Sequence, residues 1–174
     1  YRVTSKNHNL YAHYFASFGP HLDKLLLETD SKQVYTYRDA DLESARLACF
    51  LISQGLQPGD RVSAQLDKSP EALWLYLACL RAGVVFHPLN TAYQSAELGY
   101  FLANAEPSLV VCSSDRKELM TELASSDTQI LTLNADGRGT LAKGAALVQA
   151  QDIADFVSVH REPDDLAALL YSSG

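Results

Sequence analysis

Long apolar runs are missing from this sequence. Its longest purely apolar stretch, Ala72 to Leu80, falls far short of the roughly 20 residues that cross a bilayer, so no membrane span is expected, and no secretory signal is visible. Runs of positive charge are missing as well. Fourteen Lys and Arg stand scattered against 21 Asp and Glu, a net charge of -7, and a nucleic acid or an anionic membrane surface is repelled overall. Cysteine is scarce: Cys49, Cys79 and Cys112 are an odd number, lie inside apolar segments and never take CxxC spacing. They read as buried thiols of a cytoplasmic protein, against a disulfide framework or a zinc site. His8, His13 and His21 have no carboxylate or second histidine at a helical i, i+4 position, so they are not read as metal ligands. No GxSxG elbow, HExxH helix or GxxxxGK[ST] loop occurs, which removes the serine hydrolase, zinc protease and standard P-loop ATPase readings. The first residue is Tyr1 rather than Met, which reads as a trimmed start.

What remains is a chain of 174 residues, 47% apolar and 20% charged, with the balance of an ordinary globular protein. Asn9 is a plausible cap for a short helix with Leu10, Tyr14 and Phe18 on one face, ended by Gly19-Pro20. Residues 24–28 and 33–37 read as a hairpin. From Asp39 the period becomes helical, with Leu42, Ala45, Cys49, Ile52 and Leu56 as the expected apolar stripe. Val62, Ala64 and Leu66 alternate as a strand, and Ser69-Pro70-Glu71 supplies a hydroxyl cap, a harmless proline and an acid at the positive end of a helix that runs to Gly83. A strand at 84–86, a helix over 96–103 capped by Ser95, a strand at 109–112, a helix over 115–124 and a strand at 130–133 follow. A single helix is expected over 141–151, and 166–171 reads as a buried strand. This alternation predicts an α/β fold, a mostly parallel sheet with helices on both faces and a β-hairpin near the N-terminus.

Gly137-Arg138-Gly139-Thr140-Leu141-Ala142 matches the GxGxxG/A pattern of dinucleotide folds. However, Asn134-Ala135-Asp136 intervene where that fingerprint needs an immediate tight turn, so a plain loop is the better reading. His87, at a strand end before Pro88, reads as a hydrogen-bonded structural histidine rather than a general base. Glu71 and Glu97 read as caps. The chain ends on Ser172-Ser173-Gly174 after an apolar run, where hydroxyls and a closely approaching backbone suit a phosphate, although such a tripeptide is also an ordinary loop.

Several stretches taken in order carry a resemblance: Tyr35-Thr36-Tyr37, Gly55 to Val62, Lys68 to Ala72, Tyr76-Leu77-Ala78 with Arg81-Ala82-Gly83, Pro88 to Tyr93, and Asp164-Asp165-Leu166 leading to Tyr171-Ser172-Ser173-Gly174. Together they resemble the N-terminal third of acyl-adenylate-forming (AMP-binding) enzymes, the superfamily of acyl-CoA synthetases. Leu89 to Tyr93, Glu97 to Phe101, Ala105 to Cys112 and Asp136 to Gly139 are most similar to its malonyl-CoA synthetase branch. The resemblance implies that residues 1–174 are the opening of an AMP-binding domain and end at the start of its phosphate loop. The remainder of that domain and a mobile C-terminal domain would lie outside them, and the 174 residues alone are expected to be inactive. It further implies that Ser172, Ser173 and Gly174 hold ATP phosphates, that magnesium offsets their charge, and that malonate and CoA are joined through malonyl-AMP. No catalytic residue and no metal ligand is expected within these residues. The alternatives are a ligase for another fatty, aryl or short acid, and a non-enzymatic α/β interaction module.

Overall fold

The parallel sheet is written in the residues that alternate along its strands. In the computed structural model, which describes residues 6–171, strands β3 (Arg61–Gln65), β4 (Val85–Pro88), β5 (Leu109–Cys112) and β6 (Gln129–Thr132) pair in parallel in the order β4-β3-β5-β6. They are preceded by α1 (Leu10–Phe18), the antiparallel hairpin of β1 (Leu25–Glu28) and β2 (Val34–Thr36), and α2 (Tyr37–Ser53). Val62, Ala64, Leu109 and Val111 face α2 and α3 (Pro70–Ala82), whereas Val110 and Cys112 face α4 (Ser95–Ala105) and α5 (Lys117–Leu123). The distribution of helices follows from handedness. The β3-α3-β4 crossover moves one way along the sheet and β5-α5-β6 the other, so right-handed connections put α3 and α5 on opposite faces. Leu51, Leu75 and Leu109 have no measurable exposure, and each contributes about 1.5–3 kcal/mol by burial.

Local signals act as expected at several ends. Ser69 accepts from the Ala72 N–H at 3.1 Å with Pro70 in the first turn, and Gly83 closes α3 in the left-handed conformation. At α2 the helix begins at Tyr37 rather than at Asp39, started by a reciprocal capping box of Thr36 and Asp39 that the sequence reading does not include. Asn9 caps α1 by accepting from Tyr11 N–H.

Four expectations are corrected. Of the expected α2 stripe, Ala45 and Leu56 are buried but Leu42 and Ile52 are exposed; the buried side of the helix is Ala40, Ser44, Ala45, Leu47, Ala48, Phe50 and Leu51, because packing against α3 selects among its apolar residues. In α1 the buried residue is Tyr11 rather than Tyr14. The cap of α4 is Gln94, whose N–H reaches Glu97 Oε2 at 2.7 Å. The single helix over 141–151 is two, α6 (Thr140–Ala145) and α7 (Ala150–Ala154), separated by a turn.

No disulfide forms among the described residues. Cys79 and Cys112 are fully buried, and burial, with a smaller contribution from Asp115, pushes the Cys112 thiol up to about 11. Burial, then Asp152, also raises half-buried Cys49. A raised thiol pKa leaves the unreactive protonated form dominant at pH 8. Iodoacetamide at pH 8 is therefore expected to modify Cys49 first and the other two only on unfolding; mass spectrometry showing native Cys112 modified first would contradict this.

Candidate functional site

Chain direction places the site. β3 sends its chain to α3 on one face, while its neighbours β4 and β5 send theirs to α4 and α5 on the other, so the loops part above the carboxyl end of β3. That parting is where open parallel sheets take ligands. The loop after β4 is tied down there by Gln65, the buried last residue of β3, whose Nε2 donates to Asn90 O at 2.8 Å and Tyr93 O at 3.3 Å. Leu89 N–H adds a bond to Ala64 O at 2.8 Å, and Asn90 Oδ1 turns the chain by accepting from Ala92 N–H.

The last described segment enters along the free side of β4. Phe86 N–H donates to Ala167 O at 3.1 Å and Leu169 N–H to Phe86 O at 2.9 Å, giving one parallel bridge between Phe86 and Ala168. The expected buried strand over 166–171 is therefore an edge segment. Leu166 and Leu170 are exposed, because only one side of this backbone is paired to the sheet. Its end is nevertheless anchored: the Tyr171 ring lies 4.7 Å from Phe101 and 5.3 Å from His87, centroid to centroid, and its hydroxyl donates to Asn104 Oδ1 at 2.5 Å. Tyr171 thus stands at the carboxyl edge of the sheet, covalently next to Ser172. Ser172, Ser173 and Gly174 themselves lie outside the described residues.

Beneath Tyr171, His87 has no exposed surface, and its Nδ1 is 2.8 Å from Ser63 Oγ on β3. Burial lowers its pKa, which favours the neutral ring. The expected structural histidine is present, and its partner Ser63 is one that the sequence reading did not name. The signal was there in the polar residues Ser63 and Gln65 alternating with Val62 and Ala64, which marks a strand face carrying buried polar groups.

The other motifs do not join this site. Around Gly137 and Gly139 the chain closes on itself: Asn134 N–H donates to Arg138 O at 2.7 Å, and Thr140 N–H and Thr132 N–H each donate to the other's Oγ1 at 2.9 and 2.8 Å. The amide that opens α6 is used within the chain, so this is a connecting loop. A cleft of about 390 Å³ holds Lys68 and Glu71 near the start of α3, where the Ser69 hydroxyl is already engaged as the cap. Among the described residues no three His, Cys, Asp or Glu side chains converge as metal ligands, and no helix is long and apolar enough to cross a membrane.

Comparison with known proteins agrees with this geometry. The AMP-binding enzyme family matches residues 16–174. The chain is 29% identical over 150 residues to 4-coumarate–CoA ligase 2 of Nicotiana tabacum, covering 86% of this chain and 27% of that protein. It is 26% identical over 161 residues to the medium-chain fatty-acid–CoA ligase of Escherichia coli K12, covering 87% and 28%. The crystal structure of ATP-bound MatB from Rhodopseudomonas palustris superposes with a TM-score of 0.89 at 42% identity, over 97% of this chain and 33% of that one. The chain therefore spans between a quarter and a third of these proteins' length. An α/β sheet with loops parting over β3, a tyrosine delivered to its carboxyl edge and a family match from residue 16 to residue 174 lead to one conclusion: the chain belongs to the AMP-binding enzyme family.

Proposed function

We propose that this chain is the opening part of an ATP-dependent acid–thiol ligase that forms malonyl-CoA from malonate, ATP and CoA. The observation that carries the reading is the 42% identity with ATP-bound MatB over 97% of the chain, well above the 26–29% shared with the two CoA ligases. The malonyl-CoA synthetase-like stretches at 89–93 and 105–112 support it, and both belong to elements around the site, the loop after β4 and strand β5. A malonate carboxylate oxygen attacks the α-phosphorus of ATP, malonyl-AMP forms and pyrophosphate leaves. The CoA thiol then attacks the acyl carbon, the thioester forms, and AMP departs with the C–O bond electrons while the thiol gives up its proton. Ser172, Ser173 and Gly174 hold the ATP phosphates, whose charge a bound magnesium ion would offset. The three unpaired cysteines suit a reducing cytoplasm.

Acid-dependent pyrophosphate release by the full-length protein, with malonate, 4-coumarate, octanoate and benzoate, tests this reading. Malonate is expected to give a kcat/KM at least about tenfold above the others, since a buried charged partner for the second carboxylate is worth more than about 1.4 kcal/mol. A higher value for another acid would assign the enzyme to a different branch. Ser173→Ala is expected to raise the KM for ATP or lower kcat by about tenfold, as for a lost hydrogen bond to a charged group. Kinetic constants within twofold would remove the phosphate role. The 174 residues alone are expected to release no pyrophosphate.

A further inference from the structure

A cavity of about 300 Å³ lies between α2, α3 and α6, close to the end of β6. Its size is at the lower limit of small-molecule sites, room for one ring or a short chain. Leu47, Trp74, Leu133 and Leu141 line it and none is more than 7% exposed, so its walls are apolar. Three charged side chains join that lining: Glu43, Arg46 and Glu71. Arg46 is already paired, its Nε 3.2 Å from Glu43 Oε2. Glu71 has no Lys or Arg at ion-pair distance among the described residues. The amino end of α3 offsets part of its charge but supplies no countercation. Two carboxylates against one guanidinium leave the lining with an excess of negative charge.

Glu71 is confined at the edge of this cavity. Gly137, at φ 77°, lies against its carboxylate, and a Cβ there would come within 2.7 Å of Glu71 Oε1. Glycine leaves that space, so the loop after β6 and the first turn of α3 hold the carboxylate between them and little ordering is left for a ligand to impose. The charge is felt nearby: the Tyr35 phenol is raised first by burial and next by Glu71, and the Tyr35 ring packs edge-on to Trp74 at 5.8 Å. An indole and a carboxylate in the walls of one apolar cavity favour a cation with an apolar body, because the ring's electrons and the carboxylate both attract positive charge and the carboxylate repels an anion. We propose that this cavity is a binding site for a small organic cation, an ammonium group carried on one aromatic ring or a short alkyl chain. The ammonium donates to Glu71, and the apolar body takes the place of water against Leu47, Trp74, Leu133 and Leu141.

Two molecules of one shape separate the charge from the apolar contact: phenethylammonium and its neutral counterpart 2-phenylethanol. In calorimetry on the full-length protein, phenethylammonium is expected to bind with a Kd of about 1 mM or below, within reach of a ligand of its size. The alcohol is expected to bind about tenfold more weakly, as for a lost charge-assisted bond. Glu71→Gln keeps the side chain's shape and removes its charge; it is expected to weaken the amine about tenfold and to leave the alcohol within twofold. Ala142, half-buried on α6 in the same lining, gives the second test. Ala142→Leu fills the cavity and is expected to weaken both molecules at least about tenfold. If that variant fails to fold, Ala146→Leu, at an exposed position of the lining, is expected to weaken both about threefold. No binding of the amine, equal affinity for amine and alcohol, or an amine Kd indifferent to Glu71→Gln would overturn the proposal. So would a folded Ala142→Leu or Ala146→Leu variant that binds the amine as well as the unsubstituted protein, since the amine would then sit elsewhere.

Discussion

Arg81→Ala lowers stability by about 3–5 kcal/mol, seen as a large fall in the urea midpoint. Arg81 is 6% exposed and its Nη1 has four acceptors: Asp41 O at 2.7 Å, Asp41 Oδ1 at 2.8 Å, Ser44 Oγ at 3.1 Å and Tyr11 Oη at 3.2 Å. The guanidinium also lies 4.4 Å from the Tyr11 ring centroid and 5.2 Å from that of Phe156. Tyr11 in turn donates to Asp41 Oδ1 at 2.6 Å, and its phenol is held well above its ordinary range, mainly by burial. One side chain therefore joins α1, α2, α3 and the segment after α7. Truncating it leaves the Asp41 carboxylate and the Tyr11 hydroxyl short of a partner and opens a void between two aromatic rings. The Asp41 side chain keeps 28% of its surface exposed, so water recovers part of the loss and the lower end of the range is expected. Arg81→Met with Asp41→Leu removes both charges and is expected to recover at least half of the deficit. A loss below about 1 kcal/mol for Arg81→Ala would show that the network contributes no more than a surface pair.

Gly139→Ala is the second large effect, expected to cost about 3 kcal/mol or more and to lower the same midpoint. Gly139 sits at φ 150°, where a side chain costs about 1–3 kcal/mol in conformation alone. A Cβ there would lie 2.1 Å from Thr132 O, 2.6 Å from Thr132 C and 3.0 Å from Leu133 Cα. All three are backbone atoms at the end of β6, so relief requires moving the strand or breaking the reciprocal Thr132–Thr140 bonds. Gly55 provides the comparison. It has φ 91° with nothing within 4 Å of the position a Cβ would take, so Gly55→Ala carries the conformational cost alone, about 1–2 kcal/mol. Equal losses at the two positions would rule out the steric contribution at Gly139.

The motif containing Gly139 shows why a pattern is not a site. Gly-x-Gly-x-x-Ala already fails as a fingerprint in the sequence, because three residues separate it from the strand. The structure supplies the stronger reason: the second glycine exists for close approach to the chain's own strand end, and the amide opening α6 is bonded to Thr132. The candidate site was legible in part. Pro88 to Tyr93 and Tyr171 stand in stretches that carry the family resemblance, and His87 reads as a bonded structural histidine. Ser63 and Gln65 show in the sequence only as a polar strand face; their partners do not, since these lie on a strand and a loop about 25 residues away.

What the sequence determined by itself is what neighbouring residues decide. Ser69-Pro70 starts α3 and Gly83 stops it; Thr36 with Asp39 starts α2; Val62 and Ala64 point one way while Ser63 and Gln65 point the other. Caps act over three residues and strand alternation over two, so a linear reading suffices for them. Tertiary structure alone decided which stripe of α2 is buried, that Asn9 Nδ2 bonds Leu80 O and Val159 O, that Arg81 meets Asp41, and that Ala168 lies beside Phe86. Each of these pairs groups separated by 40 to 150 residues or chooses between two apolar faces that a helix offers equally. Their free energy exists only once the sheet has brought the partners together, and local preference contains no record of it.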